Sequence, residues 1–496
     1  MKRIFCTLLA LTAIYCALIY LPFQRHLWFD ELLTYYIARA PNLELARKWD
    51  LTPPLMHVLA HVCLAWSNGN PIAVRIPSVV AFYIGSLALF GYAARKLGYW
   101  FGIVLVLVLW YSPTFPYATE ARPYALLYCF FCCLLFCWDL AATNQIRKTA
   151  LAGVALFSFG LVNAHVLAPL SILPFVAAEL VRWKRSHKAD VALWAALLLP
   201  LGFVFSYFPL IRSYQTIGHY PLAFQASLHA LASYYWHTFT GVVLCLATAW
   251  AAAKLAQIID TRRRAQAYPR GSAEPADAVL MLVVSLVPVV LDVIMMRDHA
   301  PFWGRYCITS AVGLYGIAVF VLASPFRRSP HAGVAAASAV CLLLLGQMWI
   351  APWYQNFAHP PAMNVEAFAA IHPDLPIVAA SGLSFVEMSK YESPAIVSRL
   401  YYLRDRAAAL QFANATMFED LDGFQAAFHF PGTVESYPDF VAAHRHFLVF
   451  GTIDYPEDWL LRKVRADGAK IRLIGSFATP YKDKNLYEVW LARNTR

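Results

Sequence analysis

The sequence predicts a polytopic α-helical membrane protein, with about eleven spans and a C-terminal extracytoplasmic α/β domain. Three observations lead to the helical membrane class. Of the 496 residues, 60% are hydrophobic and 14% charged, whereas a soluble domain is about a quarter charged. Apolar runs of roughly 20 residues, enough to cross a hydrocarbon core, recur as far as residue 352. Short basic connections separate them: Lys2-Arg3, Arg95-Lys96, Arg147-Lys148, Arg182 to Lys188, Arg262-Arg263-Arg264 and Arg327-Arg328. Basic residues confined to alternate short loops are a topology signal. The net charge of +11 therefore marks the cytoplasmic face and excludes nucleic acid as the partner.

The first run, 4–22, reads as a retained helix. It is long for a signal peptide, and Leu21-Pro22-Phe23-Gln24-Arg25 lacks the small residues of a cleavage site. With Lys2 in the cytoplasm, the chain emerges into a large external loop, 23–71. Within it Leu55 to Trp66 has the amphipathic pattern of an interfacial or re-entrant helix. Further spans are expected at 72–93, 101–117, 122–141, 149–165, 167–183, 190–211, 236–258, 279–296, 304–324 and 332–352. Every basic connection then falls inside, and the C-terminus falls outside.

Composition changes near Pro352. Residues 355–496 contain no span-length apolar run and carry charge throughout. Pro376 to Ala380, His446 to Gly451 and Lys470 to Ile474 read as strands. Phe385 to Tyr391 and Trp459 to Ala466 read as helices. The alternation predicts a small extracytoplasmic α/β domain, so that 1–354 is the membrane domain and 355–496 the external one. The latter has no Gly-rich phosphate loop and no metal-ligand spacing. It is expected to position an acceptor or cap the membrane site. Nine of the ten cysteines lie in or beside spans. Cys129, Cys132, Cys133 and Cys137 share a helical spacing without nearby acids or histidines, and so read as packing residues. A glycosylation sequon, Asn414-Ala415-Thr416, falls on the external side.

Four polar clusters fall where apolar segments meet the external face. They are Trp28-Phe29-Asp30-Glu31, Thr52-Pro53-Pro54-Leu55 with Arg75-Ile76-Pro77-Ser78, Glu120-Ala121-Arg122-Pro123-Tyr124, and Arg305-Tyr306. Carboxylates beside a bilayer are costly and mark function. Asp30 is the candidate general base, since an ordinary aspartate is ionised at neutral pH and can accept a hydroxyl proton. Glu31 and Glu120 are the other catalytic acids to weigh. Adjacent helical side chains diverge by about 100°, so Glu31 is expected to turn away and pair with an arginine. Arg122, Arg305 and Arg75 are candidates to hold a phosphate, because a guanidinium binds it bidentately. Tyr124 and Tyr306 offer hydroxyls or stacking faces for a sugar. His57, His165 and His299, together with Glu120, are candidates for a divalent cation or for the acceptor. Asp292 lies inside a span and has no assigned role.

The order of these motifs resembles the GT-C membrane glycosyltransferases that use polyprenyl-phosphate sugars. The likeness is to the bacterial branch of lipid A aminoarabinose transferases and protein O-mannosyltransferase relatives, and it is strongest over residues 20 to 130. The resemblance implies transfer of a sugar from a polyprenyl-phosphate donor to an envelope lipid, glycan or protein hydroxyl at the inner membrane. It also implies that Asp30, the first acid of the pair, is the base. GT-C enzymes include metal-dependent and metal-independent members, and the sequence does not choose between them. One departure is plain: Thr52 precedes Pro-Pro-Leu where the family often has histidine, and His57 is the candidate to face that cavity instead. The rival reading is a polytopic transporter or lipid flippase. Such proteins carry internal repeats and mid-membrane polar sites, whereas here no repeat relates the two halves and the polar residues gather at one lip.

Overall fold

The computed structural model describes the chain except residues 1, 50–51, 210–218, 240–246, 248–249, 252–273, 325, 327–329, 351–364, 454, 478–483 and 493–496. Helices α1 (Lys2–Gln24), α2 (Phe29–Ala38), α3 (Leu43–Trp49) and α4 (Leu55–Trp66) come first. A 3-10 turn, Pro71–Arg75, feeds α5 (Ile76–Leu97), which reverses through Gly98 into α6 (Tyr99–Tyr111). Gly98 sits at φ +94°, a conformation open to glycine and strained for other residues. A second 3-10 turn, Phe115–Thr119, leads to α7 (Tyr124–Ala142), α8 (Arg147–Ala164), α9 (Leu173–Ser186) and α10 (Val191–Leu198). Beyond come α11 (Pro275–Arg297), α12 (Ile308–Ala323) and α13 (Pro330–Ile350).

Five helical stretches among the described residues are long and apolar enough to cross a membrane: Ile4–Gln24, Pro71–Leu97, Tyr124–Ala142, Pro275–Arg297 and Gly304–Ala323. They coincide with five of the expected spans. Several others are shorter because proline interrupts them. α6 ends before Ser112-Pro113, and the run expected at 167–183 is a 3-10 turn, Ala168–Ser171, followed by the 14 residues of α9. Most of the span expected at 236–258 lies outside the described residues.

α5 packs along α7, and α7 along α8. The first contact is close, since a Cβ on Gly85 would stand 2.8 Å from the Cys129 Cα; one on Gly153 would stand 2.6 Å from the Cys137 sulfur. Small residues let membrane helices approach in this way. At the far end of α5, Lys96 Nζ bridges Asp139 (2.7 Å) and Asp277 (2.9 Å). Arg95 Nε reaches Asp139 at 2.6 Å, and the Tyr92 hydroxyl donates to Asp277. This network ties α5, α7 and α11 at one end of the bundle, and Arg75 marks the other. The 22 residues of α5 set the two ends about 33 Å apart.

The C-terminal region adds α14 (Val365–Ala369), β1 (Ile377–Ala379), α15 (Gly382–Tyr391), α16 (Pro394–Val397), β2 (Leu400–Arg404), α17 (Arg406–Ala413) and α18 (Leu421–Phe428). It closes with β3 (Thr433–Ser436), α19 (Tyr437–Ala443), β4 (His446–Gly451), α20 (Trp459–Ala466), β5 (Lys470–Phe477) and β6 (Lys484–Trp490). The six strands form one sheet, in the order β3-β2-β1-β4-β6-β5. β1 to β4 are parallel, with Val378 opposite both Tyr401 and Val449, while β6 runs antiparallel between β4 and β5. The expected strands and helices are present; β2, β3 and β6 are additions. β1 starts two strand series that run to opposite sides, so the β1–β4 boundary is a topological switch point, where α/β sheets open a crevice at their strand ends.

This region sits on α2. The Tyr36 ring meets Phe424, Phe428 and Phe430, Phe29 meets Phe418 edge-on at 5.6 Å, and Trp49 meets Phe424.

Candidate active site

The site is assembled where three chain segments enter helices at the same end of the bundle. Asp30 is the second residue of α2. Glu120 and Arg122 occupy the loop between the second 3-10 turn and α7. Arg305 lies in the 3-10 turn Gly304–Cys307 that opens α12.

Glu31 is the keystone. Its carboxylate is fully buried and accepts Arg75 Nε at 2.7 Å and Arg75 Nη2 at 2.6 Å, a fork-to-fork pair. It also accepts the Ala121 N–H at 2.9 Å and the Trp28 N–H at 3.3 Å. Arg75, equally buried, spends its remaining N–H groups on the carbonyls of Pro22, Phe23, Arg25 and His26. The pair thus binds the end of α1, the start of α2 and the approach to α7 to the head of α5. Glu31 turns inward and pairs with an arginine as expected, and that arginine is Arg75; neither side chain has exposed surface, and the Arg75 N–H groups are committed to Glu31 and to backbone carbonyls. Arg75→Ala is expected to strip a buried charge of its partner, at a cost of about 3–5 kcal/mol. Thermal unfolding in detergent checks this, and a wild-type midpoint would show that the pair does not hold the segments together.

With Glu31 turned inward, Asp30 faces the lip. Its Oδ2 lies 2.9 Å from Arg305 Nη1 and 4.0 Å from Arg122 Nε, and its carbonyl accepts from Arg122 Nη1 at 3.5 Å. Side-chain exposures of 13%, 14% and 22% for Asp30, Arg122 and Arg305 leave this trio reachable from outside. The Arg305 guanidinium lies 5.0 Å from the Trp303 ring centre and 5.8 Å from that of Tyr124. Its Nε has no acceptor among the described residues, so a donor is held ready for an incoming oxygen. Tyr124, His165 and Tyr306 surround it with ring centres 5.4 to 6.3 Å apart. His165 Nδ1 accepts the Leu167 N–H at 3.2 Å, which leaves the proton of a neutral ring on Nε2.

Glu120 is buried beside this trio, and its Oε2 has no hydrogen-bond partner among the described residues. Burial, then the negative charge of Glu31, pushes its carboxyl up to about 7. His57 is buried on α4 and His299 is exposed at the turn after α11. Among the described residues no three His, Cys, Asp or Glu side chains gather as a metal site, so the expected set of three histidines with Glu120 does not assemble. Asp292 is buried on α11, within reach of the Ser227 backbone.

Sequence reasoning missed the roof of the site. The Tyr220 phenol lies within electrostatic reach of Tyr306, Arg305, Asp30 and Glu457, and burial pushes it up to about 12. Glu387 accepts the Phe29 N–H at 2.9 Å. Glu457, buried after β4, accepts from the Ser381 hydroxyl at 3.2 Å. These residues stand in loops and on a helix face with no local motif. Burial raises Glu387 to about 7 and Glu457 to about 8, each from an ordinary value of 4.5. A carboxyl raised on folding stabilises fully below its unfolded value, and that contribution is lost as pH climbs through the folded one. The melting midpoint is therefore expected to fall as pH rises from about 4.5 to about 8, with the triple variant Glu120→Gln, Glu387→Gln, Glu457→Gln flattening the slope. A midpoint that rises over this range would contradict the burial of these carboxyls.

No family model matches the chain, and no curated protein matches it in sequence. Solved structures do match. The crystal structure of ArnT from Cupriavidus metallidurans bound to undecaprenyl phosphate aligns over 98% of both chains, with a TM-score of 0.51 and 12% identity. The apo form of that protein aligns over the same shares, with a TM-score of 0.52 and 12% identity. The fold is thus that of ArnT along almost its whole length.

Proposed function

We propose that the chain is an integral-membrane glycosyltransferase. It moves a sugar from a polyprenyl-phosphate donor to a hydroxyl of an envelope lipid, glycan or protein on the extracytoplasmic side. In this reading the chain crosses the inner membrane eleven times from a cytoplasmic N-terminus. Residues 1–354 form the catalytic membrane domain, with 23–71 as its large external loop, and 355–496 form the extracytoplasmic domain. The observation that carries the reading is the exposed Asp30–Arg305 pair, with Arg122 beside it, at one end of the bundle. The ArnT fold supports it, because that fold is known with undecaprenyl phosphate bound.

The chemistry follows from the residues. The acceptor oxygen attacks the anomeric carbon, the bond from that carbon to the phosphate oxygen breaks, and polyprenyl phosphate leaves. Asp30 takes the acceptor proton as the new bond forms. Arg305 and Arg122 meet the charge that grows on the leaving phosphate, and the unpartnered Arg305 Nε supplies a further donor. Tyr124 and Tyr306 flank the guanidinium as faces on which a sugar ring can stack. Glu120, with its carboxyl near neutrality, orients the acceptor by a hydrogen bond.

Transport fits less well. Among the described residues, no ion pair links the cluster at Asp30 with the one at Lys96, about 33 Å away along α5. The reading is tested by mass spectrometry of envelope glycolipids and glycoproteins with and without the gene, together with binding of undecaprenyl phosphate to the purified chain. Loss of one sugar modification with retained lipid binding is the expected result. An unchanged envelope with transbilayer movement of the lipid would favour the flippase.

A further inference from the structure

The geometry points to Glu387 as a positioning residue: from the C-terminal domain it caps the N-terminus of α2 and so fixes where Asp30 stands. This rests on the reading that Asp30 acts in transfer.

The need for such a cap is visible in α2 itself. Its N-cap residue is Trp28, whose side chain has no acceptor to offer. The Trp28 carbonyl takes the N–H groups of Glu31 and Leu32. The Phe29 N–H is left for a group from elsewhere, and Glu387 Oε1 takes it at 2.9 Å. One turn further along α15, the Tyr391 hydroxyl accepts the Leu27 N–H at 2.8 Å, and its ring stacks on His26 at 4.2 Å with planes 3° apart. Residues 387 and 391 share a helix face by their spacing of four, while Phe385, Met388 and Ser389 are buried. One face of α15 is thus given over to the residues that lead into α2.

The rest of α15 is held against the sheet. Ser381 caps it, accepting the Leu383 N–H at 3.2 Å, and donates to Glu457 after β4. Gly382 is glycine because a Cβ there would meet the Phe418 ring at 2.5 Å, and Phe418 is the ring that packs on Phe29. A chain of rigid contacts therefore runs from the switch point of the sheet through α15 to the turn that carries Asp30.

The cap is also sensitive to protons. Glu387 faces Lys484 at the start of β6, Asp30 and Glu31 on α2, the Tyr391 phenol on α15 and the Tyr455 phenol after β4. Its carboxyl stands at about 7 through burial. Protonation leaves a carbonyl oxygen that still accepts the Phe29 N–H, whereas ionisation buries a charge near two other carboxylates. The docked arrangement is therefore favoured below pH 7 and loosens above it.

The test uses the full chain in detergent and in membranes, as wild type, Glu387→Ala, Glu387→Gln and Asp30→Asn. Hydrogen exchange of peptides covering 27–37 reads the cap without any substrate. Alanine is expected to speed exchange roughly tenfold, the usual scale of a lost helix cap. Glutamine, which keeps an acceptor, is expected to hold it near wild type and to remove any rise above pH 7 beyond the intrinsic base-catalysed increase. In membranes that carry out transfer, alanine should lower kcat about tenfold, by the same loss of a cap, with KM for the donor unchanged, and glutamine should restore it. Unchanged exchange in the alanine variant overturns the cap. Faster exchange with unchanged kcat overturns the positioning role. If Asp30→Asn keeps its turnover, the reading of Asp30 fails, and the exchange data still decide the cap.

Discussion

Asp30→Asn is expected to abolish sugar transfer, with a rate loss of roughly 10² to 10⁴-fold, while the protein still folds and binds its lipid carrier. The amide matches the carboxylate in shape and can still accept a hydrogen bond from Arg305, which now stands 2.9 Å from Asp30 Oδ2. It cannot take a proton from the acceptor. The sign of the lipid effect is informative. In the resting site Asp30 competes with an incoming phosphate for Arg305, and neutralising it frees that cation. Undecaprenyl phosphate should therefore bind the variant at least as tightly as wild type. The experiment pairs a binding titration with turnover in purified donor and acceptor. Near-wild-type turnover would remove Asp30 from the mechanism, and weakened lipid binding would mean that Asp30 shapes the phosphate site.

How much of this was legible in the sequence depends on how local each signal is. Adjacent carboxylates just past an apolar run are a local pattern, and the 100° divergence of neighbours in a helix already separated Asp30 from Glu31. Arg122 and Arg305 were visible because each opens an apolar helix. Arg75 had the same local appearance and a different fate. Its neighbours do not reveal that four carbonyls from 22–26 close around it. The histidines divide for a similar reason: residue type alone suggests ligands, while packing sets His165 beside Tyr124 and Tyr306, His57 within α4 and His299 at the surface.

Within the fold, long apolar runs read well, and short ones interrupted by Pro113, Pro169 or Pro174 misled the expected spans. Strands β1, β4 and β5 contain apolar runs or alternation, but β3 is four residues long at a sheet edge and depends on its partner for definition. The contact between Phe29 and Glu387 joins positions 358 apart. No periodicity or motif encodes such a pairing, so nothing in the sequence of the C-terminal domain shows that it contacts the helix that bears Asp30. Deleting that domain would expose the aromatic face of Tyr36 and Trp49 as well as the α2 N-terminus, and would not isolate an acceptor function.

Arg305→Ala is expected to damage both halves of the reaction. The lost charge-assisted contact to phosphate is worth roughly 1.5–3 kcal/mol, which is about 10- to 150-fold in donor affinity or rate. Asp30 would keep only Arg122, at 4.0 Å, as a nearby cation. Arg122→Ala should cost less, since Arg122 is the more distant of the two from the carboxylate. Arg305→Lys should recover part of the loss, because an ammonium supplies charge without the planar fork or the stacking on Trp303 and Tyr124. Because Asp30 and Arg305 touch, their variants should not add. In the Arg305→Ala background, adding Asp30→Asn should raise lipid affinity less than it does in the wild type, since Arg305 is gone and only Arg122, at 4.0 Å, is left to release. Undecaprenyl phosphate titrations of the four proteins measure that coupling directly. Strict additivity would show that the two residues meet the lipid independently, and wild-type affinity in both arginine variants would place the phosphate elsewhere in the bundle.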